Sequence, residues 1–250
     1  MKGRIIVYTA IFGNYSGLIP QQNIEGVDLV CFTDQDISSR YWTIKKVKAL
    51  VPNDNTRSNR YYKLLPHKCL SKTYDVSIYI DANIWILKDI RPLVEAQLKT
   101  AKMAFFDHNQ NYADKRDCIY QEYQAILKKG KNTGEFKDDP EVMKFQIEKL
   151  KNEGYPENFG LISGCVLVRK HFDSEIIKLM EAWWDIVLNG SKRDQLSFNY
   201  VAWKLNFTNF NYISGDVRTG NPWFYLISHR KNYRFKMFKI KLKKHLKVGK

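Results

Sequence analysis

The run Arg4-Ile-Ile-Val-Tyr-Thr-Ala is apolar and β-branched without the polar alternation of a half-exposed strand. A strand of that kind is buried on both faces, as in a parallel sheet covered by helices. The pattern recurs in Asp28-Leu-Val-Cys-Phe-Thr-Asp34, Asp75-Val-Ser-Ile-Tyr-Ile-Asp81 and Leu161-Ile-Ser-Gly-Cys-Val-Leu-Val168. Shorter strands are expected over 41–47, 103–106 and 210–213. Helices are expected over 57–70, from Asp89 through Leu98, over 117–129, 140–152 and 173–188, and over 193–205. Asp89 serves as the cap of the second of these, with Pro92 in its first turn. Strands alternating with helices predict an α/β fold with a mostly parallel sheet. The 250 residues and 44% apolar content fit one domain with a sizeable core.

Ligands of such sheets bind beyond the strand C-termini. This singles out Thr9–Tyr15, Thr33–Asp34, Asp81–Asn83 and Asp107. Asp81-Ala-Asn83 is an apolar strand ending in one oxygen ligand, then a small residue, then another, which suits Mg²⁺ or Mn²⁺. The uncharged Asn83 is the weaker ligand, and a strand end capped by Asp with Asn in a turn explains the same tripeptide. Arg60, Lys63 and His67 fall at i, i+3 and i+7 on the helix expected over 57–70, along one face. They form either a diphosphate-binding stripe or a solvated basic face. Asp107 and His108 close a strand, where they face a substrate or cap the strand end. Trp183, Trp184 and Trp203 read as core, whereas Trp85, Trp223 and Tyr225 are the stacking candidates.

The segments Tyr8-Thr-Ala-Ile-Phe-Gly-Asn-Tyr15, Cys31-Phe-Thr-Asp34, Arg60-Tyr-Tyr-Lys-Leu-Leu-Pro-His67 and Ser77-Ile-Tyr-Ile-Asp-Ala-Asn83 resemble the glycosyltransferase-like group catalogued as domain of unknown function 616, which includes plant mucilage-related proteins. Ile162-Ser-Gly-Cys-Val-Leu-Val168 and Arg193-Asp-Gln-Leu-Ser-Phe198 are similar to segments of retaining family-8-type glycosyltransferases of the GT-A fold. The resemblance spans residues 4–230. It implies a GT-A (Rossmann-like) single domain, with 109–160 as a helical insertion serving as acceptor region or lid.

The resemblance further implies that Thr9, Ala10, Ile11 and Tyr15, with Arg60, Lys63 and His67, bind the nucleotide. Asp81, Asn83 and His229 would hold Mn²⁺ or Mg²⁺. Asp81, Ser163 and Gly164 would approach the donor sugar, and Asp194 and Gln195 would be catalytic. The implied activity is hexose transfer from a nucleotide diphosphate sugar, UDP most of all, to a saccharide or lipid-linked acceptor in cell-surface polysaccharide synthesis. Rival readings are a metal-dependent hydrolase of an amphiphilic lipid and a non-catalytic nucleotide- or glycan-binding module. No G-x-S-x-G elbow supports the hydrolase.

The formal charge of +15 is uneven, since residues 231–250 carry nine Lys and Arg and no Asp or Glu. Phe235, Phe238, Leu242 and Leu246 would form an apolar stripe on a helix, the composition of an anchor on anionic lipid rather than a nucleic-acid arm. The four scattered cysteines form no C-x-x-C pair and are expected as free thiols. With no recognisable signal peptide, the expected location is the cytosol, peripherally at the inner membrane face.

Overall fold

The computed structural model describes residues 3–14, 17–111, 113–218 and 220–227. The chain opens with β1 (Ile5–Ile11), all seven residues buried, then β2 (Val27–Thr33) and β3 (Thr43–Lys46). Next come α1 (Asn55–Leu64), the single turn α2 (Pro66–Cys69), β4 (Val76–Ile80), β5 (Ile84–Ile86), α3 (Arg91–Leu98) and β6 (Met103–Asp107). The insertion holds α4 (Ile119–Thr133) and α5 (Pro140–Asn152). It is followed by β7 (Ile162–Lys170), α6 (Ser174–Asn189), α7 (Phe198–Lys204), β8 (Phe210–Ile213) and β9 (Phe224–Leu226).

Seven strands form one sheet in the order β3-β2-β1-β4-β7-β6-β8, and β5 pairs with β9 in a second, two-stranded sheet. Within the large sheet β7 alone runs antiparallel, against both β4 and β6; every other pairing is parallel. The mostly parallel α/β architecture expected from the apolar runs is therefore present. Alternating side chains split the core between the faces. Ile6, Tyr8, Phe32, Tyr79, Phe105 and Leu167 pack with α1, α4, α5, α6 and α7, while Ile5, Val7, Cys31, Ile78 and Val168 pack with α3 and β5. The four cysteines are unpaired thiols.

Three local expectations need correction. The helix expected over 57–70 is two helices, because Pro66 pushes Leu65 out of the helical region, to φ −113° and ψ 55°. The helix expected over 193–205 is a 3₁₀ turn, Asp194–Leu196, followed by α7, with Ser197 (φ −139°) between them. Asp89 is not the cap of α3; Ile90 takes that position, and the Asp89 carboxylate instead accepts from the Arg91 N–H at 2.9 Å.

Candidate functional site

A cavity of about 590 Å³ opens at the C-terminal edge of β1 and β4, where a sheet of this winding binds its ligands. Because β7 is antiparallel, its first residues, not its last, reach that edge. Ser163, Gly164 and Cys165 thus lie beside Asp81, whose backbone N–H donates to the Cys165 carbonyl at 2.9 Å. Past β1, Gly13 turns the chain at φ +67°, where a Cβ would lie 2.0 Å from Asn55 Nδ2. Asn59 of α1 holds the end of β1 by donating to the Ala10 carbonyl at 2.5 Å.

The centre of the cavity is an ion cluster. Asp194 is buried, with Lys63 Nζ at 2.5 Å and Arg60 Nε at 3.2 Å from its Oδ2. Burial alone would raise this carboxyl's pKa, but the Arg60, Lys63 and Arg193 cations hold it well below the usual carboxylate range. Asp194 is therefore an anion at every physiological pH and not a proton donor. Its main chain is fixed from below: the indole of buried Trp183 donates to the Asp194 carbonyl at 3.0 Å. Gln195 donates to the Ile162 carbonyl at 2.8 Å, joining this turn to the start of β7. Gly164 leaves room for the pair, since a Cβ there would sit 3.3 Å from Lys63 Nζ.

Lys63 is placed by a network beneath the cavity floor. The Tyr8 hydroxyl and Arg169 Nη1 both donate to the Lys63 carbonyl, at 2.9 and 3.0 Å, where α1 ends. Arg169 also donates to the Tyr8 hydroxyl and is fully buried. The Lys63 ammonium lies 5.1 Å from the Tyr79 ring centroid, and the Tyr79 hydroxyl donates to Asp81 Oδ1 at 3.0 Å. Asp81 and Asp194 are thus connected through Lys63 and Tyr79. In all, Arg60, Lys63, Lys137, Arg193 and Arg218 line the cavity against Asp81 and Asp194, which favours an anionic ligand.

The model of the TOD1/MUCI70 glycosyltransferase-like domain matches residues 30–215, from β2 past the end of β8. The chain belongs to this family. The matched region contains Arg60, Lys63, Asp81, Asn83, Ser163, Gly164, Asp194 and Gln195 but not the β1 loop. No curated protein sequence matches the chain. Two solved structures similar in shape are the apo form of the WbbM bifunctional glycosyltransferase (12% identity, TM-score 0.48, covering 85% of this chain and 39% of that one) and apo mouse xyloside xylosyltransferase 1 (11% identity, TM-score 0.46, 90% and 97%). The chain thus spans well under half the length of the first.

A divalent cation, which the family resemblance implies, fits the Asp81–Asn83 turn. Asn83 donates through Nδ2 to the Ile227 carbonyl at 3.0 Å, which leaves its buried Oδ1 without a hydrogen-bond partner among the described residues. That unmatched oxygen and the half-buried Asp81 carboxylate two residues before it would be the two oxygen donors for a hard ion; no group of three His, Cys, Asp or Glu side chains that could hold a metal occurs among the described residues. Tyr15 and His229 lie outside the described residues; Ile227, two positions before His229, donates its N–H to the Asn83 carbonyl at 2.9 Å.

Of the nucleotide candidates, Ala10, Ile11, Arg60 and Lys63 line the cavity. Thr9 does not. It is fully buried on the strand face shared by Val7 and Ile11, and its hydroxyl has no partner among the described residues. His67 is displaced by the Pro66 break, and its Nε2 meets Glu181 at 3.3 Å outside the cavity. Trp85, Trp223 and Tyr225 are also absent from the lining: Trp85 packs with Ile19 and Ile227, and Lys88 Nζ stacks 3.8 Å from the Trp223 ring centroid. Trp183 is core, as expected, with Trp184 and Trp203 partly buried against it. Asp107 caps the turn after β6 by accepting from the Asn109 N–H at 3.0 Å, while His108 lines the cavity.

The insertion is tied to the body of the domain by side-chain bonds to the turn that carries Asp194. Asp138 accepts from Ser191 Oγ at 2.6 Å, and Gln146 bridges the Ser191 N–H (2.8 Å) and the Leu196 carbonyl (3.0 Å). Sequence reasoning missed Lys137, Arg193 and Arg218 as cavity residues. Each stands in a polar loop where only the tertiary fold brings it to the site.

Proposed function

We propose that this chain transfers a hexose from a nucleotide diphosphate sugar, with UDP as the nucleotide, to a saccharide or lipid-linked acceptor in cell-surface polysaccharide synthesis. The observation that carries this reading is the Asp81–Asn83 oxygen pair at one wall of a cavity whose centre is the Arg60–Lys63–Asp194 cluster. Breaking the anomeric bond leaves negative charge on the departing diphosphate. A Mn²⁺ or Mg²⁺ ion held by Asp81 and Asn83, with His229 as a third ligand, would supply Lewis-acid stabilisation of that charge. Arg60 and Lys63 meet the same phosphates from α1, prearranged by Asp194 and by the Tyr8–Arg169 contacts, so little reorganisation is needed during the reaction.

Ala10 and Ile11, with Tyr15, hold the nucleoside in the loop after β1. Ser163 and Gly164 admit the sugar close to the backbone of β7. Asp194, kept ionised, and Gln195 accept from and donate to sugar hydroxyls to orient the ring. The transfer proceeds with retention, for which a strong general base is not required. The basic segment 231–250 docks the enzyme on the anionic inner face of the membrane, where each lysine contributes about 1 kcal/mol.

The test is a thermal-shift panel of sugar nucleotides with and without Mn²⁺, since a ligand that binds the native state raises its stability by mass action. One UDP-sugar is expected to raise Tm in a Mn²⁺-dependent manner, and Asp81→Ala to remove the Mn²⁺ dependence. A panel in which no sugar nucleotide shifts Tm, or an Asp81→Ala variant that keeps the full metal-dependent shift, overturns the reading.

A further inference from the structure

The nucleotide residues named above come from the β1 and β4 end of the cavity. The opposite wall, beyond β7, is built from the end of β6, the insertion, the turn before Asp194 and the loop after β8, and includes His108, Lys137, Arg193 and Arg218. Strands lie about 4.8 Å apart, so β6 stands roughly 10 Å from β4 and roughly 14 Å from β1, beyond the diphosphate placed at those two strands.

This wall offers donors without acceptors. Arg116 Nη2 lies 3.1 Å from His108 Nε2, and a guanidinium only donates, so Nε2 is the accepting nitrogen. Burial, reinforced by the Arg116 cation, lowers the His108 pKa, so the ring is neutral and its proton sits on Nδ1. That Nδ1 is buried and has no acceptor among the described residues, and the same holds for Arg193 Nε.

The charges are also unequal. Buried Glu122 is shared by Arg116 (2.8 Å) and Arg193 (3.9 Å), Arg116 additionally pairs with Asp114, and Arg218 faces buried Asp216 at 3.9 Å. Lys137 makes no direct ion pair among the described residues, and buried Glu122 is the carboxylate that acts on it from farther away. Desolvation of its ammonium and the neighbouring Arg193 and Lys129 cations lower its pKa against the opposing pull of Glu122. The wall therefore offers Lys137, His108 Nδ1 and Arg193 Nε to an anion.

We infer that the wall formed by His108, Lys137, Arg193 and Arg218 is a subsite for one anionic group, a carboxylate or a phosphate, carried by the acceptor. The inference rests on the transferase reading, because the sugar transferred from a diphosphate at β1 and β4 meets its acceptor over β7, on the way to this wall. The enzyme therefore selects acidic acceptors over neutral ones. A uronic acid and a sugar phosphate both present the required group.

The experiment uses the full chain and two successive titrations followed by calorimetry. UDP with Mn²⁺ is titrated first, and it reads the transferase reading alone. Glucuronate, glucose 6-phosphate and glucose are then each titrated into the UDP–Mn²⁺-saturated protein. At least one acidic sugar is expected to bind ten-fold or more tightly than glucose, and whichever acid binds better identifies carboxylate or phosphate as the natural group. Lys137→Ala and Arg218→Ala are expected to erase the preference while leaving UDP affinity intact.

Equal binding of acidic and neutral sugars overturns the inference. So does a preference that survives Lys137→Ala, which would mark general attraction by the +15 charge. If UDP fails to bind, the transferase reading falls by itself, and the sugar series without nucleotide still reads the subsite.

Discussion

Asp194 is where single side chains matter most. Two cations share its buried carboxylate, so Asp194→Asn leaves buried positive charge uncompensated. The expected loss is about 3–5 kcal/mol in urea unfolding at pH 7. Its pH dependence has a fixed sign. A carboxyl whose folded pKa is depressed stabilises the fold fully above the unfolded value, about 3.9, and the contribution fades as pH falls toward the folded value. The stability gap between wild type and Asp194→Asn is thus expected to be widest at neutral pH and to narrow progressively below about pH 4. A gap independent of pH would contradict the ion-cluster assignment. At this scale the sequence was legible where chemistry sits beside an apolar strand, as with Asp81, or recurs at helical spacing, as with Arg60 and Lys63. It placed Trp183 in the core but was silent about Arg169 and about the indole bond to Asp194, because a buried arginine under a helix end and an indole beneath a turn are contacts between residues 106 and 11 positions apart.

Among the elements, the turn that bears Asp194 depends on the insertion. Gln146 of α5 satisfies one main-chain group on each side of that turn, at Ser191 and Leu196. Gln146→Ala strands both inside the protein, with an expected cost of about 1–3 kcal/mol. The amides of 191–196 are then expected to exchange hydrogen faster than those of β1 in the same variant; uniform exchange across both would sink this account. The long apolar runs announced β1, β2, β4 and β7, and residues 140–152 and 210–213 match α5 and β8 residue for residue. The three-residue β5 and β9 left no trace in the sequence, since each is a strand only through its pairing with the other, about 140 residues away. His67 was misplaced for a related reason: helical spacing was extended across Leu65–Pro66, where the proline ends the helix.

For the whole molecule, nine of the basic residues crowd into 231–250, so the proposed membrane attachment can be tested apart from ligand binding. A chain lacking 231–250 is expected to keep the affinity of the full chain for UDP with Mn²⁺ and to lose sedimentation with phosphatidylserine vesicles. Sedimentation of the full chain is expected to weaken as salt rises, as surface charge is screened. Loss of nucleotide binding in the truncated chain would favour a non-catalytic binding module instead. The parallel character of the sheet was readable from its unbroken apolar strands, but the reversed direction of β7 was not, because a strand buried on both faces looks alike read either way.

That reversal has a bearing on synthesis. A nascent chain that has emerged only to residue 160 already contains β1, β2, β4 and Asp81, yet lacks Ser163–Cys165 and Asp194, the middle of the site. β4 spends that interval as an uncovered sheet edge, since its partner β7 begins about 80 residues later. An unpaired apolar edge recruits other strands. A ribosome pause or truncation in the insertion is therefore where this protein is most exposed to aggregation.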